Sequence, residues 1–115
     1  MGKLKYGFVF YFALFLHIGY AQNVRENFKH ITDSLISAKP KTYADLDVVL
    51  RSVRKDTNLM RQFAVEAAIN EYNDGAAYAL NQLGHRYRDI SQFGEALKLH
   101  QSALDAATLA DNLEF

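Results

Sequence analysis

The sequence predicts an all-α protein, and three observations support this. Apolar residues recur at i, i+3 or i+4, and i+7 along most of the chain, which is the period of a helix. The 115 residues include one proline and six glycines, so long stretches contain no helix breaker. No segment alternates apolar and polar residues in the way a half-buried strand does. The length allows one domain at most.

Composition and charge disfavour several classes of function. Half of the residues are apolar, 23% are charged, and the formal net charge is zero. This balance disfavours a nucleic-acid binder, which carries a basic excess, and a disordered chain, which has low hydrophobicity. The absence of cysteine removes disulfides and thiolate metal sites. No phosphate loop, nucleophile elbow or zinc motif is present, so we predict a non-catalytic protein without a cofactor.

Residues 1–21 are predicted to be a secretory signal peptide. Lys3 and Lys5 give a positive start, residues 6–18 are almost wholly apolar, and Gly19-Tyr20-Ala21 fits a cleavage site. The prediction is therefore export to the periplasm. The alternative is an uncleaved membrane anchor over residues 6–21, for which the apolar run is short of the roughly 20 residues that span a bilayer.

Turn residues divide the remaining chain into helices. An amphipathic helix is predicted within residues 22–40 and ends before Pro40, because the residue preceding a proline is pushed out of the helical region. Thr42 is predicted to cap the next helix. Asp56-Thr57-Asn58 then separates the second helix from a third. Asn73-Asp74-Gly75 is predicted to be the clearest turn, because Asp-Gly offers a position with φ > 0.

The two helices that follow are separated by Ser91-Gln92 and carry the strongest apolar pattern. The first presents Ala77, Leu80, Leu83, Gly84 and Tyr87. The second presents Phe93, Ala96, Leu97, His100, Ala103, Leu104 and Ala107, which form a broad stripe over four turns.

The pattern Leu80-x-x-Leu83-Gly84-x-x-Tyr87, followed by Ala96-x-x-x-His100-x-x-Ala103, resembles the tetratricopeptide repeat signature. In such a repeat, Gly84 and Ala96 are expected where two antiparallel helices cross closely. Tyr87 and Phe93 are expected to fill the wedge beside them. Three positions depart from the signature: Leu80 and His100 replace aromatic residues, and Thr108 replaces a proline.

The resemblance implies an α-solenoid of antiparallel helix pairs. Residues 41–75 are then a degenerate pair, residues 76–112 a clear repeat, and residues 113–115 the start of a further repeat. Aligning Asn73-Asp74 with Asp111-Asn112 gives an offset of 38 residues. An array of this kind needs about three repeats and a polar face on its last one. Because that polar face is lacking, we expect an N-terminal fragment of a longer protein that self-associates.

Tetratricopeptide arrays bind proteins or peptides, so the resemblance implies a protein or peptide ligand. Side chains not used for packing are predicted to line the groove: Tyr78, Asn81, His85 and Arg88. The alternative is that these four side chains form a solvated helix face. A metal site at His85 and His100 is disfavoured, because His100 lies on the apolar stripe and a metal needs three or four ligands.

The chain also resembles, more loosely, the exported N-terminal repeat regions of Bacteroidetes-type signalling proteins. The runs 78–88 and 107–112 carry this likeness. It implies an alternative function, the sensory ectodomain of a membrane histidine kinase or helix-turn-helix regulator. In that case the full-length parent is tethered to a membrane and its effector part lies beyond Phe115.

Overall fold

The computed structural model describes residues 26–111, and every regular element in that range is a helix. The all-α prediction is confirmed for these residues, whereas the predicted signal peptide lies outside them. Residues up to Ile31 form one compact unit and those from Thr32 onward form another, and the second is described below. The helices are α1 (residues 26–38), α2 (Tyr43–Leu50), α3 (Thr57–Ile69), α4 (Asn73–Asp89) and α5 (Phe93–Leu109).

Side-chain caps begin α2 and α3. The predicted cap at Thr42 is confirmed, whereas Thr57 and Asn58, which were predicted to separate two helices, lie in the first turn of α3. The Thr42 hydroxyl accepts a hydrogen bond from the Asp45 N–H at 3.2 Å, which caps α2. A carboxylate oxygen of Asp56 accepts from the Leu59 N–H at 3.1 Å and caps α3. Each cap satisfies an amide that has no partner within its own helix.

The same turn ends α3, α4 and α5. Glu71, Ser91 and Asp111, spaced 20 residues apart, adopt left-handed φ values of 57°, 63° and 54°. In each turn the amide of this residue donates to the carbonyl three residues earlier, at 2.9 to 3.1 Å. This geometry closes a helix by satisfying its last carbonyls. Glu71 and Asp111 are 40 residues apart, two more than the offset predicted from Asn73 and Asp111, and that repeat alignment stays a prediction.

The predicted turn at Asn73-Asp74-Gly75 is wrong, because these residues form the first turn of α4. Gly75 does not have a positive φ. It is instead covered by the ring of Tyr72, and a Cβ at Gly75 would lie 2.6 Å from Tyr72 Cε2. The Tyr72 hydroxyl continues to the carbonyl of Pro40, to which it donates a hydrogen bond. The glycine therefore provides space for an aromatic ring rather than a change of chain direction.

Helix α4 is the centre of the core. It packs against α3 and α5 and touches α2, so its N-terminal half has no solvent-facing side. Helices α4 and α5 are antiparallel: Ala76 and Leu109 line one groove near one end of the pair, while Gly84 meets His100 further along. The atoms nearest to a Cβ built at Gly84 belong to the His100 ring. The prediction that Phe93 fills a wedge beside Gly84 is wrong, since Phe93 is 64% exposed.

Candidate functional site

The four residues predicted to line one groove of α4 lie in different environments. Tyr78 is fully buried, Asn81 and His85 are half-buried, and Arg88 is exposed. The prediction that Tyr78 is free of packing is wrong, because α2, α3 and α5 surround the first half of α4. The other three residues lie on the more open second half, and their role as ligand contacts stays a prediction.

Tyr78 belongs to a buried polar cluster between α2 and α4. Its hydroxyl donates to Asp47 Oδ1 at 2.8 Å. Arg54 Nη1 donates to both oxygens of the same carboxylate, at 2.9 and 3.2 Å, and Arg51 Nε lies 3.5 Å away. The ring of Tyr43 contacts that of Tyr78, with centroids 5.3 Å apart. This cluster joins two helices that have few other contacts.

Electrostatics keep Asp47 charged and Tyr78 neutral. Burial opposes ionisation of Asp47, but hydrogen bonds from Tyr78 and Arg54 and the charges of both arginines hold its pKa below the usual value. Burial, together with the hydrogen bond to Asp47, raises the pKa of Tyr78. The cluster is a satisfied donor–acceptor network, and we assign it a structural role. The sequence did not predict this cluster, because no pattern around Asp47 marks it as a buried residue like its neighbour Leu46.

A second cluster, which we call the histidine cluster, joins α4 to α5 and consists of Asn81, His85 and His100. His100 Nδ1 lies 2.8 Å from Asn81 Oδ1. The rings of His85 and His100 meet edge to face, with centroids 5.1 Å apart. Gly84 makes the arrangement possible, because a Cβ there would lie 2.7 Å from the His100 ring.

The surroundings of His85 disfavour its protonated form. Burial lowers its pKa, and the nearby charges of His100, Arg88 and Arg86 lower it further. Its Nδ1 is buried without a hydrogen-bond partner in the described range. Within residues 26–111 no group of three His, Cys, Asp or Glu residues is placed to hold a metal ion. This face offers polar atoms for hydrogen bonding and, at Arg88, a positive charge that attracts an anion.

The residues of the repeat signature lie mainly in packed positions. Leu83, Ala96 and Ala103 are buried, and Leu80 is half-buried. Tyr87 is also half-buried, and its hydroxyl accepts a hydrogen bond from Arg61 Nη2 at 2.6 Å. The signature thus describes how α4 meets its neighbours rather than a binding surface.

An apolar groove of about 380 Å³ lies between α3 and α5, with α4 as its floor. Alanines at positions 64, 68, 76 and 106 line it, with Leu80 and Leu109 beside them. Asn73, Ser102 and Asp105 are its polar lining residues. Sequence reasoning did not predict this groove. Ala64 and Ala68, four residues apart on α3, are the signal that points to it.

Comparison with known proteins finds no match, whether with protein families, with curated proteins or with solved structures. The chain is therefore placed by its own features alone, as a protein whose regular structure in residues 26–111 is helical. Across residues 26–111, no helix has the length and apolar character needed to cross a membrane.

Proposed function

We propose that this chain is an exported, tetratricopeptide-type module that binds a protein or peptide and performs no catalysis. The observation that supports this most is the position of α4. It packs against the helix before it and the helix after it, and the turns on both sides have the same geometry. Stacking of successive helices in chain order is how helical-repeat proteins build binding surfaces. The repeat signature on α4 and α5 supports the same proposal.

The proposed contact surface is the open half of α4. Arg88 is exposed there and close enough to His85 to lower its pKa. Asn81 and His85 supply polar atoms beside this charge. A guanidinium binds a carboxylate through two parallel hydrogen bonds. We therefore propose that the ligand is a peptide that presents a carboxylate, with the C-terminal carboxylate as the simplest case. A place within a sensory protein stays a prediction from the sequence.

A peptide array tests this proposal. The full chain is applied to an array of random decapeptides with free C-termini and to the same array with amidated C-termini. We expect a subset of free peptides to bind, and amidation or Arg88→Gln to weaken binding about tenfold, the effect of losing a charge-assisted hydrogen bond. Lys55→Gln is the matched control, since it removes an exposed cation in the turn between α2 and α3. No binding, or equal effects of the two variants, would refute the proposal.

A further inference from the structure

Helix α5 carries a row of exposed apolar side chains along the edge of the face that packs against α4. Phe93, Leu97 and Leu104 lie at i, i+4 and i+11, so they share one helix face. They are 64%, 60% and 58% exposed, although large apolar side chains are usually buried. We call these three residues the α5 stripe. Leu109, which lines the groove against α3, lies on a different side of the helix.

We propose that the α5 stripe pairs with the α5 stripe of a second copy of this chain, with the two helices antiparallel about a two-fold axis. Placing Leu97 of each copy opposite Leu104 of the other puts the axis between positions 100 and 101. Both leucine pairs then form at once, as a self-complementary interface requires. This proposal concerns a different helix from the proposed peptide contact and does not depend on it.

Charge favours the same register. Lys98 and Asp105 are seven residues apart, so they lie on the same flank of α5. A two-fold axis brings this flank of one helix against the same flank of the other. In the leucine register, Lys98 then lies about 3 Å along the axis from Asp105 of the second copy, since two residues rise about 3 Å. Two opposite-charge pairs therefore lie beside the stripe, whereas in a parallel arrangement this flank would face the opposite flank of the other helix and neither pair would form.

The polar groups along the stripe are compatible with burial. Phe93 of each copy lies opposite Thr108 of the other in this register. The Thr108 hydroxyl already donates to the Leu104 carbonyl at 2.8 Å, so covering it leaves no donor unsatisfied. At the axis, Gln101 lies level with His100 of the other copy, whose ring already contacts Asn81 of α4. The contact is one helix face, smaller than the roughly 800 Å² per partner of a standard interface, so the dimer should be reversible.

Cross-linking at single introduced cysteines tests the register, because the chain has no cysteine of its own. Full-length Leu97→Cys and Leu104→Cys chains, one carrying a mass tag, are oxidised separately and as a mixture. A disulfide needs Cα atoms about 4.4–6.8 Å apart. Positions 97 and 104 meet between copies, while each lies about 10 Å along the axis from its own counterpart. We expect at least tenfold faster cross-linking in the mixture.

A charge exchange provides a second readout. Lys98→Glu alone and Asp105→Lys alone should each weaken self-association several-fold in sedimentation equilibrium, whereas their mixture should form heterodimers. The control is Leu109→Cys mixed with Leu97→Cys, which should not cross-link because position 109 faces the groove. Cross-linking of that control as fast as the 97–104 mixture would overturn the proposal. So would a monomer at concentrations up to about 1 mM, or the absence of heterodimers. These position-specific readouts exclude association through other parts of the chain, such as residues 6–18.

Discussion

The contact between Gly84 and His100 predicts an unusual response to alanine. In the middle of a helix, glycine-to-alanine substitution stabilises by about 1 kcal/mol, because alanine loses less backbone entropy. At Gly84 the new Cβ would lie 2.7 Å from the His100 ring, which must move. Overpacking of this kind costs about 1–3 kcal/mol, and displacing the ring from Asn81 loses a hydrogen bond of about 1 kcal/mol. We expect Gly84→Ala to destabilise by about 1–3 kcal/mol.

A double-mutant cycle isolates this contact. In a His100→Ala background the ring is absent, so Gly84→Ala should stabilise by about 1 kcal/mol through helix propensity alone. The coupling free energy between the two positions should then be about 2–4 kcal/mol. The assay is urea unfolding followed by far-UV circular dichroism.

Gly94 on α5 is the matched control. No atom lies within 4 Å of a Cβ built there, so Gly94→Ala should stabilise by roughly 0.5–1 kcal/mol. If Gly84→Ala stabilised the protein as much as Gly94→Ala, or had the same effect with and without His100, the reasoning would be refuted.

Two further predictions concern the polar clusters. Tyr78→Phe should lower the free energy of unfolding by about 2 kcal/mol, because it removes the buried hydrogen bond to the Asp47 carboxylate. Tyr87→Phe should lower it by about 1 kcal/mol or less in the same urea assay, because its partner Arg61 is exposed. Equal costs would contradict the assigned role of the Asp47 cluster. Folding lowers the pKa of His85 below its ordinary value of 6.5, so at acidic pH the unfolded chain binds more protons than the folded chain. The free energy of unfolding should therefore decrease as the pH falls below about 6.5. His85→Gln should reduce that slope in urea unfolding between about pH 5 and 7, and an unchanged slope would show that His85 is not the group responsible.

The sequence predicted the helices well where a local rule sets them. Thr42 and Asp56 have side chains that can accept from an amide three residues later, and both cap helices. The turn at Ser91 was also predicted and is confirmed. The prediction failed at Gly75, where the deciding partner is the Tyr72 ring above it. A glycine that admits a ring and a glycine that turns the chain look alike in sequence.

The candidate site could be predicted only in part, because periodicity shows which residues share a face but not how many neighbours the helix has. Tyr78 and Arg88 lie on one stripe of α4, yet one is buried and the other exposed. Three helices enclose the first half of α4, and no local pattern encodes that number. The outward direction of Phe93 was missed for the same reason.

The stacking of α4 on its sequence neighbours has a consequence for the speed of folding. A turn of three residues joins α3 to α4, and another turn of three residues joins α4 to α5. The side-chain hydrogen bond from Gln82 to Tyr43, which joins α4 to α2, spans 39 positions of the sequence. Loops that short close at low entropic cost, and proteins built from local contacts fold in about microseconds to milliseconds. The helical region should therefore reach its native state by closing one hairpin after another.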